Sequence, residues 1–235
     1  MQVQLLDYVA GARAARGVAV IIDVFRAFSV ACYAVAQGAA RLIPMASPEE
    51  ALQLKRDHPQ YLAIGERYGR RLPGFDCGNS PAELEAFELR ARTVVHTTHA
   101  GTQGLVNARS AEVVLAGSLV NAAALCRYIR GLAPEQVSLV RMGVAATERS
   151  DADDLCAQLL AARLTGDEPT ATALSMPVIR ERLRRSPEAQ KFFDPQADWA
   201  PERDFELCTA LDRFEFVLRL QPDADGTPCL RPVPV

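Results

Sequence analysis

Five short apolar runs in the chain each end in small, polar or charged residues. Residues 18–22 lead into Asp23-Val24-Phe25-Arg26 and residues 61–64 into Gly65-Glu66-Arg67. Residues 93–96 lead into Thr97-Thr98-His99-Ala100-Gly101-Thr102, residues 112–116 into Gly117-Ser118, and residues 137–140 into Arg141-Met142-Gly143. Runs of this length read as buried strands, and a further short strand fits residues 41–45. Between them, helical spacing predicts helices over residues 29–37, 47–57, 101–107, 119–130 and 151–164. Two starts carry the same capping device, Ser47-Pro48-Glu49-Glu50 and Ser80-Pro81-Ala82-Glu83: serine caps, proline takes the first turn, and the glutamate reaches back. Strand–helix alternation of this kind predicts a three-layer α/β/α fold around a largely parallel, mixed sheet.

The pattern changes in the last third. Alternation fades over residues 171–201, and Arg180, Arg182, Arg184 and Arg185 crowd together. Two or three short helices are expected there, one beginning near Ser186-Pro187, followed by a helix over 202–211. Residues 214–220 alternate like a strand and are expected to extend a sheet edge, and the proline-rich end reads as irregular. No linker forces a division, so one α/β domain over 1–235 is expected, with 171–213 as a helical appendage.

In a parallel sheet the carboxyl ends of the strands share an edge, and ligands bind in the crevice outside it. Parallel packing of the five runs would bring carboxylates, arginines and hydroxyls together there, an inventory suited to a metal and a phosphate. Asp23, directly after a strand, suits magnesium, which takes one or two carboxylates plus water and phosphate oxygens; the competing reading pairs it with Arg26 or makes it a helix cap. The Thr97 to Thr102 segment offers backbone N–H groups and hydroxyls as a phosphate seat, or a plain N-cap and tight turn. Arg67, Arg70 and Arg71 lie in a glycine-rich loop and can fork onto oxyanions or simply be solvated. Glu148, Asp151, Asp153 and Asp154 either favour a helix amino terminus or add a second metal carboxylate. His96 falls within a strand and reads as core, whereas His99 falls in the candidate phosphate segment. The phosphate-binding and dinucleotide glycine loops are absent.

Composition narrows the partners. The net charge is −3 and the only lysines are Lys55 and Lys191, which argues against nucleic acid. The first apolar run is cut by Asp23, far short of the roughly 20 residues of a membrane span, so neither a membrane nor a secretory leader is expected. Six cysteines without a C-x-x-C pair read as reduced thiols of a cytoplasmic protein. Aromatic residues make up 6%, so the core is expected to be aliphatic.

Taken together, Ile22-Asp23-Val24-Phe25-Arg26-Ala27, Gly65-Glu66-Arg67, Gly74-Phe75-Asp76 through Gly78-Asn79-Ser80-Pro81, Thr97-Thr98 with Gly101-Thr102, Gly117-Ser118 with Asn121, and Asp153 with Cys156-Ala157 resemble the 2-phosphosulfolactate phosphatase family. The resemblance covers residues 18 to 220 and implies an α/β/α phosphatase with Mg2+ as cofactor, hydrolysing 2-phospho-3-sulfolactate to sulfolactate and phosphate. It implies Asp23, Arg26, Glu66, Thr97 and Thr98 as catalytic residues. Arg67, Asn79, His99, Gly101, Thr102 and Ser118 would bind substrate, and Asp23 and Asp153 the metal, with Glu66 or Glu148 as further candidates. The family's asparagine is replaced by His99, and Ala152 stands where the first of an acidic pair is usual. Those departures keep an alternative open, a non-catalytic binding protein for a small phosphorylated acid. For an oligomer, base rates favour a homodimer.

Overall fold

Every residue of Val18–Ile22 is buried, and alternate side chains of this run enter two different cores. Ala19 and Ile21 pack on one face, Val18, Val20 and Ile22 on the other. A strand of period two covered on both sides is the middle layer of a three-layer sandwich. The computed structural model describes residues 1–235. Its elements are β1 (Gln2–Asp7), α1 (Tyr8–Ala14), β2 (Val18–Ile22), α2 (Ala27–Ala36), β3 (Arg41–Pro44), α3 (Pro48–Asp57), β4 (Leu62–Arg67), β5 (Arg70–Arg71), α4 (Pro81–Leu84), β6 (Thr93–Thr97) and α5 (Gly101–Asn107). There follow β7 (Val113–Gly117), α6 (Ala122–Leu132), β8 (Gln136–Arg141), α7 (Asp151–Thr165), α8 (Glu168–Ala173), α9 (Met176–Arg184), α10 (Glu202–Cys208), β9 (Phe216–Pro222) and β10 (Pro228–Pro234). Short 3-10 turns cover Leu119–Asn121 and Pro187–Phe192. A β1–α1 unit precedes the first apolar run at residue 18.

Local chemistry explains the helix starts. Ser47 Oγ accepts from Glu50 N at 3.1 Å, Ser80 Oγ from Glu83 N at 3.1 Å, and Ser150 Oγ from Asp153 N at 3.4 Å. The reciprocal half of the expected box is missing: Ser47 instead donates to Glu49, and Glu83 accepts from Gly78 N. Gly166, at φ 78°, closes α7 in the left-handed conformation that glycine adopts without strain.

The ten strands form one sheet in the order β1-β8-β2-β7-β9-β10-β3-β6-β4-β5. Two expectations for the carboxyl terminus are corrected here. The strand at 214–220 is not at an edge: β9 lies mid-sheet, antiparallel to both β7 and β10. The end is not irregular either, since Pro228–Pro234 forms β10. Val217 and Leu218 point into opposite cores, and that two-sided burial makes β9 a central strand. Pro228, Pro232 and Pro234 bring no N–H. Accordingly β10 pairs with β9 along its length but meets β3 only at Leu230–Leu42.

This hairpin also reverses the sense of the sheet. β1, β8, β2 and β7 are mutually parallel, as are β3, β6 and β4, yet three antiparallel pairings separate the groups, so the two groups run in opposite senses. The five runs are therefore not all parallel neighbours. The carboxyl ends of β2, β8, β6 and β4 still meet: at roughly 20–25° of twist per step, β6, five steps from β2, is swung by roughly 100–125° and β4, one step further, by roughly 120–150°. The crevice lies between two half-sheets rather than along one straight edge.

Candidate active site

A cavity of about 350 Å³ opens where these ends converge. Asp23 enters it from the end of β2, Glu66 from β4, His99 from the loop after β6 and Asp153 from the first turn of α7. Asn79, just before α4, completes one wall. All three carboxylates are buried and tethered by backbone donors. Asp23 Oδ1 accepts from Ala27 N at 3.1 Å. Asp153 Oδ1 accepts from Val24 N at 2.9 Å and its Oδ2 from Gly143 N at 2.8 Å, which ties α7 to the ends of β2 and β8. Glu66 Oε1 accepts from His99 N at 2.8 Å and its Oε2 from Gly69 N at 2.7 Å.

Burial pushes the Asp23 carboxyl up to about 6, with the Glu66 charge adding to the shift and the Ala27 and Gly101 N–H groups opposing it. Burial likewise raises Asp153 well above the usual carboxylate range, and the charge of Asp23 raises it further. Desolvation and like-charge proximity act together here and outweigh the opposing charge of Lys191 on Asp23.

The segment expected to seat phosphate serves the carboxylates instead. Thr98 N donates to Thr102 Oγ1 and Thr102 N to Thr98 Oγ1, while His99 N is spent on Glu66. Thr97, Thr98 and Thr102 are buried and do not line the cavity. Their backbone donors satisfy nearer acceptors, and α5 is only seven residues long. Gly101 has a steric reason to be glycine: a Cβ there would lie 2.7 Å from Asp23 Oδ2 and 2.8 Å from the Ala27 Cβ. Gly101→Ala is therefore expected to displace Asp23 and lower activity on the order of 100-fold, since misplacement by about 1 Å has that effect. Steady-state kinetics beside a thermal melt check it; unchanged kcat would show that Asp23 tolerates the crowding.

Other expected residues turn away. Arg67 donates to the carbonyls of Glu66 and Ala46 and to Thr97 Oγ1, behind the cavity wall. Ser118 faces Ser29 Oγ at 2.7 Å and forms a capping box with Asn121, fully buried. Glu148 is exposed and outside the cavity. Arg26 does reach it, but Nη1 donates to Asp204 Oδ2 at 2.6 Å and to Trp199 O at 2.9 Å, and Nη2 to Gly69 O at 3.1 Å. Asn79 Oδ1 lies 3.2 Å from Nε2 of the buried His96, whose pKa burial depresses to about 4. The His99 ring stands edge-on to Tyr68, and its Nδ1 is buried without a partner.

Sequence reading missed the contribution of the appendage. Glu188, Lys191 and Trp199 line the cavity, and Asp204 on α10 anchors Arg26 while accepting from Ser80 Oγ and Ala82 N. One signal was available: Glu188 and Lys191 are three apart, so a 3-10 turn places them on one side, and Lys191 is one of two lysines.

An α/β sandwich that brings buried carboxylates, an arginine and a histidine to one cavity at its strand ends defines an enzyme scaffold of the kind that handles small, charged substrates. Residues 7–223 match the family described as 2-phosphosulpholactate phosphatase, and the chain belongs to that family. It is similar to the probable 2-phosphosulfolactate phosphatase of Symbiobacterium thermophilum, 39% identical over 171 residues and 72% of each chain. The protein of that name from Bacillus subtilis is 27% identical over 207 residues, 88% of each chain. The one from Thermotoga maritima is 33% identical over 203 residues, 85% of this chain and 87% of the relative. No helix is long and apolar enough to cross a membrane.

Proposed function

We propose that the chain is a magnesium-dependent phosphate monoester hydrolase that releases phosphate from a small 2-phospho-hydroxy acid, (2R)-2-phospho-3-sulfolactate or a related ester. The convergence of Asp23, Glu66 and Asp153 on one cavity carries this reading, in a chain whose relatives are named probable 2-phosphosulfolactate phosphatases. A substrate bearing phosphate, carboxylate and sulfonate would be repelled by three bare carboxylates. No three metal-binding side chains are grouped at ligand spacing, but magnesium needs only one or two carboxylates, with water and phosphate supplying the rest. Asp23 and Asp153 fit that role, because burial and a neighbouring carboxylate, Glu66 for Asp23 and Asp23 for Asp153, hold both carboxyls above their ordinary range and a cation relieves both effects.

When bound, magnesium would act as a Lewis acid on the phosphoryl oxygens and offset the charge that builds in the transition state. The remaining work falls to the chain. Glu66 fixes the loops at Gly69 and His99 and so sets the cavity width. Asp204 holds the Arg26 guanidinium against the cavity, where its uncommitted Nε–H can meet a phosphoryl oxygen. With Asn79 Oδ1 turned to His96, the amide nitrogen is left for a substrate oxygen. The single-domain organisation and a homodimeric assembly belong to the same proposal.

The test is phosphate release from a panel of 2-phospho-hydroxy acids, including phosphosulfolactate and phospholactate, with and without magnesium. Magnesium-dependent release is expected; no release from folded protein on any of them would overturn the reading. A pH signature should accompany it. Asp23 is raised from 3.8 to about 6, so the folded state holds the extra proton between those values and the contribution of Asp23 to stability falls as pH rises through that window. In EDTA, the stability of wild type relative to Asp23→Asn is expected to drop by about 2 kcal/mol from pH ~4 to pH ~7. Denaturant melts at both pH values read this directly, and a flat difference would place Asp23 in an ordinary solvated environment. Added magnesium should stabilise wild type more at pH ~7 than at pH ~5, because protons compete for the same carboxylate.

A further inference from the structure

Two cations line the cavity, and they are in different electrostatic states. Arg26 is neutralised by Asp204 at 2.6 Å and further held by two backbone carbonyls. Lys191, on the 3-10 turn Pro187–Phe192, has neither a hydrogen bond nor an ion pair with any group of the chain. Its Nζ lies over the Phe192 ring, 5.1 Å from the centroid. The contrast with the other lysine is clear, since Lys55 pairs with Asp76 at 2.9 Å and donates to the Pro59 carbonyl. Arginines lining the pocket beside α6 and α7 are likewise engaged, Arg163 bidentately with Asp212 and Arg127 with Glu215.

Lys191 is half-buried, and an ammonium that gives up part of its hydration without gaining an acceptor is unfavourable. Burial and the charge of Arg26 both press on Lys191, and together they lower its pKa to about 8. The carboxylate of Glu188, one 3-10 turn away, does not relieve it, for Oε1 accepts from Ser150 Oγ and Ala152 N. Asp23 and Glu66 attract it from across the cavity without reaching ion-pair distance. The partner this ammonium lacks is an anion small enough to enter the cavity.

We infer that Lys191 is a substrate-binding residue that supplies the uncompensated positive charge of the cavity to an oxyanion of the substrate. This rests on the phosphatase reading and deepens it: the carboxyl-terminal appendage is part of the active site, and substrates with an anionic group within reach of Lys191 are favoured. The oxyanion is either the phosphoryl group or the second acid group of the 2-phospho-hydroxy acid.

Lys191→Met and Lys191→Arg test the assignment. Lys191→Met is expected to lower kcat/KM for phosphosulfolactate roughly 10- to 100-fold, the range of one charge-assisted hydrogen bond. It should melt at or above the wild-type temperature, because an unpaired charge is removed; a purely structural lysine would show the reverse. Lys191→Arg should recover part of the loss. Inhibition by inorganic phosphate locates the contact. A Ki that rises with KM places Lys191 on the phosphoryl group, and a Ki that stays fixed while KM rises places it on the second acid, and either result supports the inference. Unchanged KM and Ki in Lys191→Met overturn it, as does a loss that Lys191→Arg does not begin to restore. If wild type releases no phosphate yet inorganic phosphate raises its melting temperature in a Lys191-dependent way, the catalytic reading fails and the anion site stands.

Discussion

Asp23→Asn is expected to lower phosphate release at saturating magnesium by on the order of 1,000-fold or more, about 4 kcal/mol of transition-state stabilisation. The size follows from what converges on one carboxylate. Asp23 takes the Ala27 N–H at 3.1 Å, has Gly101 packed so closely that a methyl group would not fit, and raises the pKa of Asp153. Asparagine keeps the shape but removes the charge that would hold a divalent cation beside Asp153, and it presents one acceptor where the carboxylate presents two. The variant should fold, since it removes a charge from a buried acidic cluster. Kinetics with a magnesium titration decide the point. Activity within about tenfold of wild type would remove Asp23 from the chemistry and leave it as a cap for α2.

The second large effect concerns stability. Ending the chain at Gly226, which removes β10, is expected to cost on the order of 5 kcal/mol or more, a large part of the roughly 5–15 kcal/mol of a typical domain. β10 lies between β9 and β3, so its loss uncovers Leu218, Leu220 and Leu42 and cuts the sheet between its two parallel groups. Removal of an edge strand would leave every other pairing intact. Leu230→Ala is the milder form: Leu230 is 1% exposed, and the cavity it leaves should cost about 2–5 kcal/mol. Urea melts of both variants measure this, and a truncated chain that melts cooperatively near the wild-type midpoint would show that the half-sheets hold together without the hairpin.

Much of this molecule is written in contiguous residues. The run Val18–Ile22, the caps at Ser47, Ser80 and Ser150, and the position of Asp23 and Glu66 at strand ends follow from hydrophobic period and from side chains that satisfy the first N–H groups of a helix. Those are interactions over a few residues, so the sequence alone determined the strand–helix alternation, the α/β/α class and the placement of Asp23 and Glu66 at strand ends. The tertiary structure decided which strands are neighbours. β9 pairs with β7 across about a hundred residues, Val114 with Leu220, and that distant pairing sets the opposite senses of the two half-sheets. It also decided which charged groups remain free. Arg67 looks available in sequence but is consumed by the Glu66 and Ala46 carbonyls, and Arg26 by Asp204. Lys191, in a segment without strand or motif signal, is delivered to the cavity unpaired. A charge's availability depends on every acceptor around it in space, and those acceptors come from α10, the Gly69 turn and the segment after β3, which only the folded chain brings together.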